Sequence, residues 1–228
     1  MRLLIVNPNA SEAMTHRIAA VARAQAGPGI EVIARTNTAG PQAIEGARDG
    51  AMAVPGLLAL LEAEPFDAGL VACFDDTGLD AARERAIVPI LGLGAASFHL
   101  AAAVARRFTV VTTTAASVPV IEENILRLGL GGRCAGVAAA GIRVLDLETD
   151  RAAAVTRIVA VARETARRGD VVVLGCAGMA GLASEIAGAC GIPAIDPVIA
   201  GVALAVGAMA AAAVPGAEPA EARAAARS

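Results

Sequence analysis

The sequence predicts an α/β protein of two similar lobes, each a four-stranded parallel sheet flanked by helices, related by an approximate two-fold with a cleft between them. Three observations predict it. Short apolar runs without polar alternation recur between longer helix-periodic segments, the pattern of parallel strands covered on both faces and joined by right-handed helical crossovers. The two halves also resemble each other. DAGLVAC at 67–73 and DVVVLGC at 170–176 both place a cysteine six positions after an aspartate, each followed by a helical stretch and then a proline, Pro89 or Pro193. RLLIVNPNAS at 2–11 pairs with RFTVVTTTAAS at 107–117 at nearly the same offset. Finally, the polar and thiol-bearing residues gather where strands end, the place where open α/β sheets bind ligands.

Taken in order, residues 2–7 read as a strand, and Asn7-Pro8-Asn9 turns into a helix with Ser11 as cap and Met14, Ile18 and Val21 on one face. Residues 30–35 form the next strand, a loop follows from Thr36 to Gln42, and a helix covers about 47–63. The strand ending at Cys73 is third, with Asp76 or Thr77 placed to cap the helix carrying Leu79, Ala82 and Arg83. A fourth strand at 87–93 and a helix over 95–106 close the first half. The second half predicts strands near 107–113, 134–139, 170–176 and 193–196, with helices near 117–129, 149–168 and 178–190. A last helix over 198–214 should pack back on the first half, leaving 215–228 as a polar tail. The expected lobes are therefore 1–95 plus 198–228, and 96–197.

The chain has 228 residues, enough for a substantial core, with 56% hydrophobic residues and a formal charge of −3. Its most apolar stretch, Val198 to Val214, falls short of the ~20 residues a membrane span needs and starts beside Asp196-Pro197. The amino terminus runs directly into a strand-like segment without a secretion signal, so a cytoplasmic protein with no membrane partner is expected. Self-association through the apolar last helix is also expected. Lysine is absent, which excludes Schiff-base chemistry and phosphate-loop nucleotide binding. Two histidines, His16 and His99, cannot make a three-histidine metal site, and both fall in helix-like stretches. No metal and no cofactor are expected. With neither Trp nor Tyr and no basic patch, nucleic acid is not an expected partner. Four cysteines without a close-spaced pair form neither a zinc pattern nor a disulfide framework.

Four turns should then line the cleft: Asn7-Pro8-Asn9, Cys73-Phe74-Asp75-Asp76, Thr112-Thr113-Thr114 and Cys176-Ala177-Gly178. Asn7, Thr112 and Thr113 supply neutral hydrogen-bonding groups for a small-molecule substrate. Phe74, Ala177 and Gly178 supply turn amides, and Asp75 a carboxylate that can accept from a ligand N–H. Each thiol is expected at the amino end of a helix, where amides and the helix dipole stabilise a thiolate relative to the free value of about 8.5. Asp75 and Asp76 oppose this beside Cys73. Two thiols facing one ligand carbon can invert a stereocentre next to a carbonyl, one taking the proton while the other returns one to the opposite face. Cys134 and Cys190 have no such placement and are expected to be structural.

The segments NPN at 7–9, GPQAIEG at 40–46, ACFDDTGLDAARE at 72–84, VVTT at 110–113 and VLGCAGM at 173–179 resemble the hydantoin racemase branch of the aspartate/glutamate racemase superfamily. The resemblance runs from about residue 1 to 210. It implies cofactor-independent racemisation of 5-substituted hydantoins by two cysteines, which fall on Cys73 and Cys176, and a two-domain fold with the cleft between the halves. Allantoin racemases share most of these motifs, and Phe74 to Thr77 lean toward the hydantoin enzymes. Ala43 departs from the family's loop, which often carries Ser before Ile-Glu. Amino-acid racemases of the aspartate or glutamate type, a related decarboxylase or cis-trans isomerase, and a non-catalytic small-molecule binder are the alternatives. A decarboxylase or isomerase would not need both thiols, and a binder would need neither.

Overall fold

In the computed structural model, residues 1–211 are described. The chain alternates strand and helix: β1 (Arg2–Asn7), α1 (Glu12–Ala26), β2 (Glu31–Thr36), α2 (Ala47–Glu62), β3 (Ala68–Val71), α3 (Leu79–Arg85), β4 (Ile90–Gly92) and α4 (Leu93–Val104). It continues with β5 (Phe108–Thr112), α5 (Ser117–Arg127), β6 (Cys134–Ala139), α6 (Asp146–Thr149), α7 (Arg151–Ala166), β7 (Val171–Leu174), α8 (Ala183–Cys190), β8 (Ala194–Ile195) and α9 (Pro197–Ala211). Two four-stranded sheets result, ordered β2-β1-β3-β4 and β6-β5-β7-β8, and every pairing is parallel. The second order is the first shifted by four strands, so the repeat legible in the sequence is a repeat of topology.

The central strands explain their own sequence. Ala68–Val71 and Val171–Leu174 are buried at every position because helices cover both faces, so alternation has no role there. Asp67 and Asp170, which open the two runs, each receive the backbone amide of the neighbouring strand's first segment: Asp67 from Arg2 at 2.8 Å, Asp170 from Arg107 at 3.0 Å. Beyond those strands the core is continuous between lobes. Ile5, Met14 and Val198 share one cluster with Val111, Ile158 and Leu174. Phe74 crosses into the second lobe's core, its ring 5.3 Å from that of Phe98 in an edge-to-face contact, and Phe98 stacks at 6.0 Å on Phe108.

Several expected elements change. The strand expected over 87–93 is confined to Ile90–Gly92, because Leu93 already begins α4. The helix expected over 149–168 is α7, Arg151–Ala166, capped by Asp150 accepting from the Ala153 amide at 3.3 Å, and the short α6 precedes it where no helix was expected. The helix expected from 178 is replaced by a single 3-10 turn, Ala177–Met179, and α8 starts only at Ala183, after Gly181 at φ 83°. Ser11 caps α1 as expected, its hydroxyl accepting from the Met14 amide at 3.0 Å. α9 packs against α1, α4 and β3, burying Val198, Val202, Ala205 and Met209, which accounts for its apolar composition within the chain. Among the described residues, no helix is long and apolar enough to cross a membrane. The tail at 215–228 lies outside the described residues.

Candidate active site

The two cysteines sit just beyond the carboxyl ends of β3 and β7, equivalent strands of the two sheets. Each thiol receives a turn amide and a threonine hydroxyl. Cys73 accepts from the amide of Asp75 and from the Thr77 hydroxyl, whose oxygen lies 3.5 Å from the sulfur. Cys176 accepts from the amides of Gly178 and Met179 and from the Thr113 hydroxyl. Each thiol is thus held by an amide two residues on and by one threonine. Gly175 lets β7 come close to β5 at this point, since a Cβ there would press on the Val110 side chain and the Val111 carbonyl at 2.9 Å.

Both thiols line one cavity of about 30 Å³, together with Asn9, Met14, Ile44, Phe74, Asp75, Thr112, Thr113, Ser117, Val144 and Ala177. Its contents decide the electrostatics. Burial pushes the Cys73 thiol up to about 12, and the Asp75 charge adds to the rise; the Thr77 and Asp75 donors pull the other way without matching it. Burial likewise pushes Cys176 up to about 11, against the Gly178 amide, with Asp75 again raising it. Amides do favour the thiolate as expected, but they come from tight turns rather than from α-helix ends, and desolvation outweighs them. The thiols are protonated at neutral pH and, once deprotonated, strongly basic.

Asp75 reaches the cavity from between the lobes. Its carboxyl is raised to about 6 by burial, with the Ser117 hydroxyl 3.5 Å away opposing the rise, and its carbonyl accepts from the Asn124 side-chain amide at 2.9 Å. Asp76, beside it, turns away. At φ 52° its carboxylate accepts from the Gly94 and Ala95 amides at 2.9 and 2.8 Å, so it caps α4 rather than the adjacent α3. The expected side-chain caps of α3 are therefore absent: Gly78 at φ 72° occupies the N-cap and Thr77 is engaged with Cys73.

Of the residues expected at the ligand, Phe74, Asp75, Thr112, Thr113 and Ala177 line the cavity with the thiols. Thr112 also ties the two strand ends by donating to the Gly175 carbonyl at 2.9 Å. Asn7 does not line it. Its amide is buried and committed to Asn9, the Ser11 carbonyl and Thr15, at 2.9, 3.1 and 3.0 Å, which leaves Asn9 as the asparagine of that turn facing the cavity. Gly178 contributes its amide to Cys176 and not to the cavity wall. His16 and His99 are both exposed on helices, and Cys134 and Cys190 lie elsewhere. Among the described residues, no group of three or more His, Cys, Asp or Glu side chains could hold a metal ion.

The chain and its fold have known counterparts. The family described as Asp/Glu/hydantoin racemase matches residues 3–205. The chain belongs to the Asp/Glu/hydantoin racemase family. It is accordingly an isomerase of the racemase type. A hydantoin racemase of Rhizobium meliloti is 40% identical over 211 residues, covering 90% of this chain and 87% of the relative. An allantoin racemase structure from Klebsiella pneumoniae superposes with a TM-score of 0.88 at 36% identity, over 92% of this chain and 88% of that one. The allantoin racemase of Pseudomonas fluorescens gives 0.87 at 37% identity, over 90% and 89%. Beyond the expected ligand residues the cavity is lined by Asn9, from a turn expected at the cleft, by Ala72 and Gly175 beside the cysteines, and by Met14, Ile44, Ser117 and Val144, which were not expected there. Ser117 was within reach, since the repeat aligns it with Ser11. Ile44 and Val144 carry no local signal, because only the approach of two loops from different lobes brings them together.

Proposed function

We propose that this racemase inverts 5-substituted hydantoins at carbon 5, with Cys73 and Cys176 as the two acid/base residues. The observation that carries the reading is that two thiols from equivalent strand ends of opposite lobes line a single cavity, each with the amide two residues on and a threonine hydroxyl as donors. One cysteine as thiolate takes the C5 proton from one face, leaving the electron pair in an enolate that extends onto the ring carbonyl. The other cysteine, as thiol, delivers its proton to the opposite face. The pair then holds one proton fewer on the second side and one more on the first, so the enzyme is ready for the reverse enantiomer. A base made strong by burial suits a weakly acidic C–H, at the expense of a small thiolate population at neutral pH. The turn amides of Phe74 and Ala177 are the groups available to stabilise the enolate oxygen, the Thr112 and Thr113 hydroxyls being committed to the Gly175 carbonyl and to Cys176, and Asp75 is placed to accept from a ring N–H. No step requires a cofactor or metal.

Allantoin is itself a hydantoin with a ureido group at carbon 5, so the likeness to allantoin racemases supports the same reaction on a polar substituent. The test is proton NMR of an enantiopure 5-substituted hydantoin in deuterated buffer, with wild type, Cys73→Ser and Cys176→Ser, following optical activity beside deuterium uptake at C5 and subtracting background. The expected result is racemisation by wild type only, with each variant retaining exchange from at most one enantiomer. Full turnover by either variant would reject the two-thiol assignment and favour a single-cysteine reaction.

A further inference from the structure

The cavity between the thiols, about 30 Å³, has room for on the order of two water molecules, so a substituted ring enters only as the lobes part. Where the substituent then goes follows from the chemistry. In the planar enolate, the substituent lies in the plane of the ring, and the two sulfurs approach from above and below that plane. The substituent must therefore leave sideways, along the seam between lobes. On one side Ile44 and Val144 both line the cavity, and their two loops are tied where the Glu45 carboxylate accepts from the Val144 amide at 2.6 Å. On the other side, across Asp75, lies a second space, a chamber of about 390 Å³, between α2, α3 and α5.

The two spaces share one wall residue, Asp75, whose carboxylate accepts from the Ser117 hydroxyl at 3.5 Å. Thr77, in the chamber wall, is the residue whose hydroxyl reaches Cys73. The wall on the α2 side is built of small side chains, Gly46, Gly50, Ala51 and Val54, which keep the chamber wide. Its polar lining is mainly acidic. Asp75, Asp76, Asp80 and Glu123 stand against one guanidinium, Arg127, and that is paired with Asp80 at 2.5 Å.

We infer that this chamber is the subsite for the substrate's 5-substituent, and that it selects uncharged or cationic substituents larger than methyl over anionic ones. The inference rests on the hydantoin reading above. An anionic substituent would meet the Asp75 and Glu123 carboxylates, with Arg127 already paired to Asp80 and no other cation among the described lining residues, whereas a hydrocarbon, thioether, ureido or guanidino group would not be repelled.

The experiment compares kcat/KM for 5-methyl-, 5-(2-methylthioethyl)- and 5-(2-carboxyethyl)hydantoin in wild type, Gly50→Leu and Ala51→Leu. A Cβ at Gly50 meets only Thr77, no closer than 3.6 Å, so a longer side chain there projects into the chamber without breaking the helix. Wild type should prefer the thioether over the carboxyethyl substrate by about tenfold or more, and each variant should lower the ratio of thioether to methyl turnover by about tenfold, chiefly through KM. Equal losses on the methyl and thioether substrates, or no preference against the carboxylate, would overturn the subsite. A second readout does not depend on hydantoin turnover: alkylation of Cys73 by N-phenylmaleimide, relative to iodoacetamide, should slow in both variants. If no hydantoin is racemised, the proposed substrate falls, and the alkylation ratio alone decides the chamber; an unchanged ratio rejects it.

Discussion

Asp75 is the residue on which the thiols' protonation turns. It raises both Cys73 and Cys176, after burial, and its own carboxyl titrates near 6, so its charge is present above that pH and absent below. Asp75→Asn should therefore lower both thiols and speed their alkylation by iodoacetamide above about pH 6, while below it the variant and wild type converge. Each tenfold gain in thiolate is partly offset by weaker nucleophilicity, so the net acceleration is about threefold per tenfold gain. Peptide-resolved mass spectrometry separates these two sites from Cys134 and Cys190. An unchanged rate at pH 8 would mean that the Asp75 charge does not reach the sulfurs. At this scale the sequence placed the two cysteines, because two copies of one strand pattern ending in Cys carry their own alignment. It did not place Asn9 over Asn7. Both belong to one turn, and only the inward course of the Asn7 amide toward Thr15 decides which of them is left for the cavity.

The elements were legible wherever burial is two-sided and obscure where a connection is fixed by a distant partner. Unalternating apolar runs identified β3 and β7 directly, whereas the cap of α4 comes from Asp76, on the far side of α3. That cap has a consequence for stability. Burial raises the Asp76 carboxyl from an ordinary 3.8 to about 7, against the pull of the Ala95 and Gly94 amides and of Arg83. The folded state then holds its proton more tightly than the unfolded chain does, so stability is greatest below about pH 4 and falls as pH rises through about 7. Asp75, raised to about 6, acts in the same direction. Asp76→Asn should flatten this slope in urea melts without abolishing it, and should cost about 1 kcal/mol at low pH, where one of the two capping bonds is lost. Asp76→Ala should be less stable than Asp76→Asn at every pH. A slope of the same size in Asp76→Asn and wild type would assign the pH dependence elsewhere. The cap also explains Gly94: a Cβ there would collide with the Phe74 carbonyl oxygen, so Gly94→Ala would push apart α4 and the loop that carries Cys73 and Asp75.

At the scale of the whole molecule, the lobes are joined by a continuous apolar core on one side and by a few polar bonds around the cleft on the other. The polar bonds are the ones that can break without unfolding. Ser11 donates to Glu148 at 2.7 Å, and Glu45 accepts from the Val144 amide at 2.6 Å, from a loop held over the Asn7 turn by Asn37 and by the Ala10 to Pro41 bond. Two-fold repetition predicted two lobes and a cleft but not the carboxylates these bonds reach: Ser11 and its counterpart Ser117 each donate to a carboxylate of the other lobe, Glu148 and Asp75, and those acceptors stand at unrelated places in the repeat. The Glu45 and Ser11 bonds link residues 99 and 137 positions apart, and no local pattern marks such pairs. Because the closed cavity cannot hold the substrate, their strength sets how often the thiols become accessible. A hydrogen bond to a carboxylate contributes about 1.5–3 kcal/mol, so Glu45→Ala should raise the open population about tenfold or more. Alkylation of Cys176 and Cys73 in the unliganded protein should accelerate to match, with Cys134 and Cys190 unaffected. The effect on catalysis should split. Entry and product release become easier while closure around the enolate is weakened, so KM rises and kcat for the proton transfer falls or, if release limits turnover, increases. Equal alkylation rates in Glu45→Ala and wild type would show that the cleft opens by some other movement than the parting of these two loops.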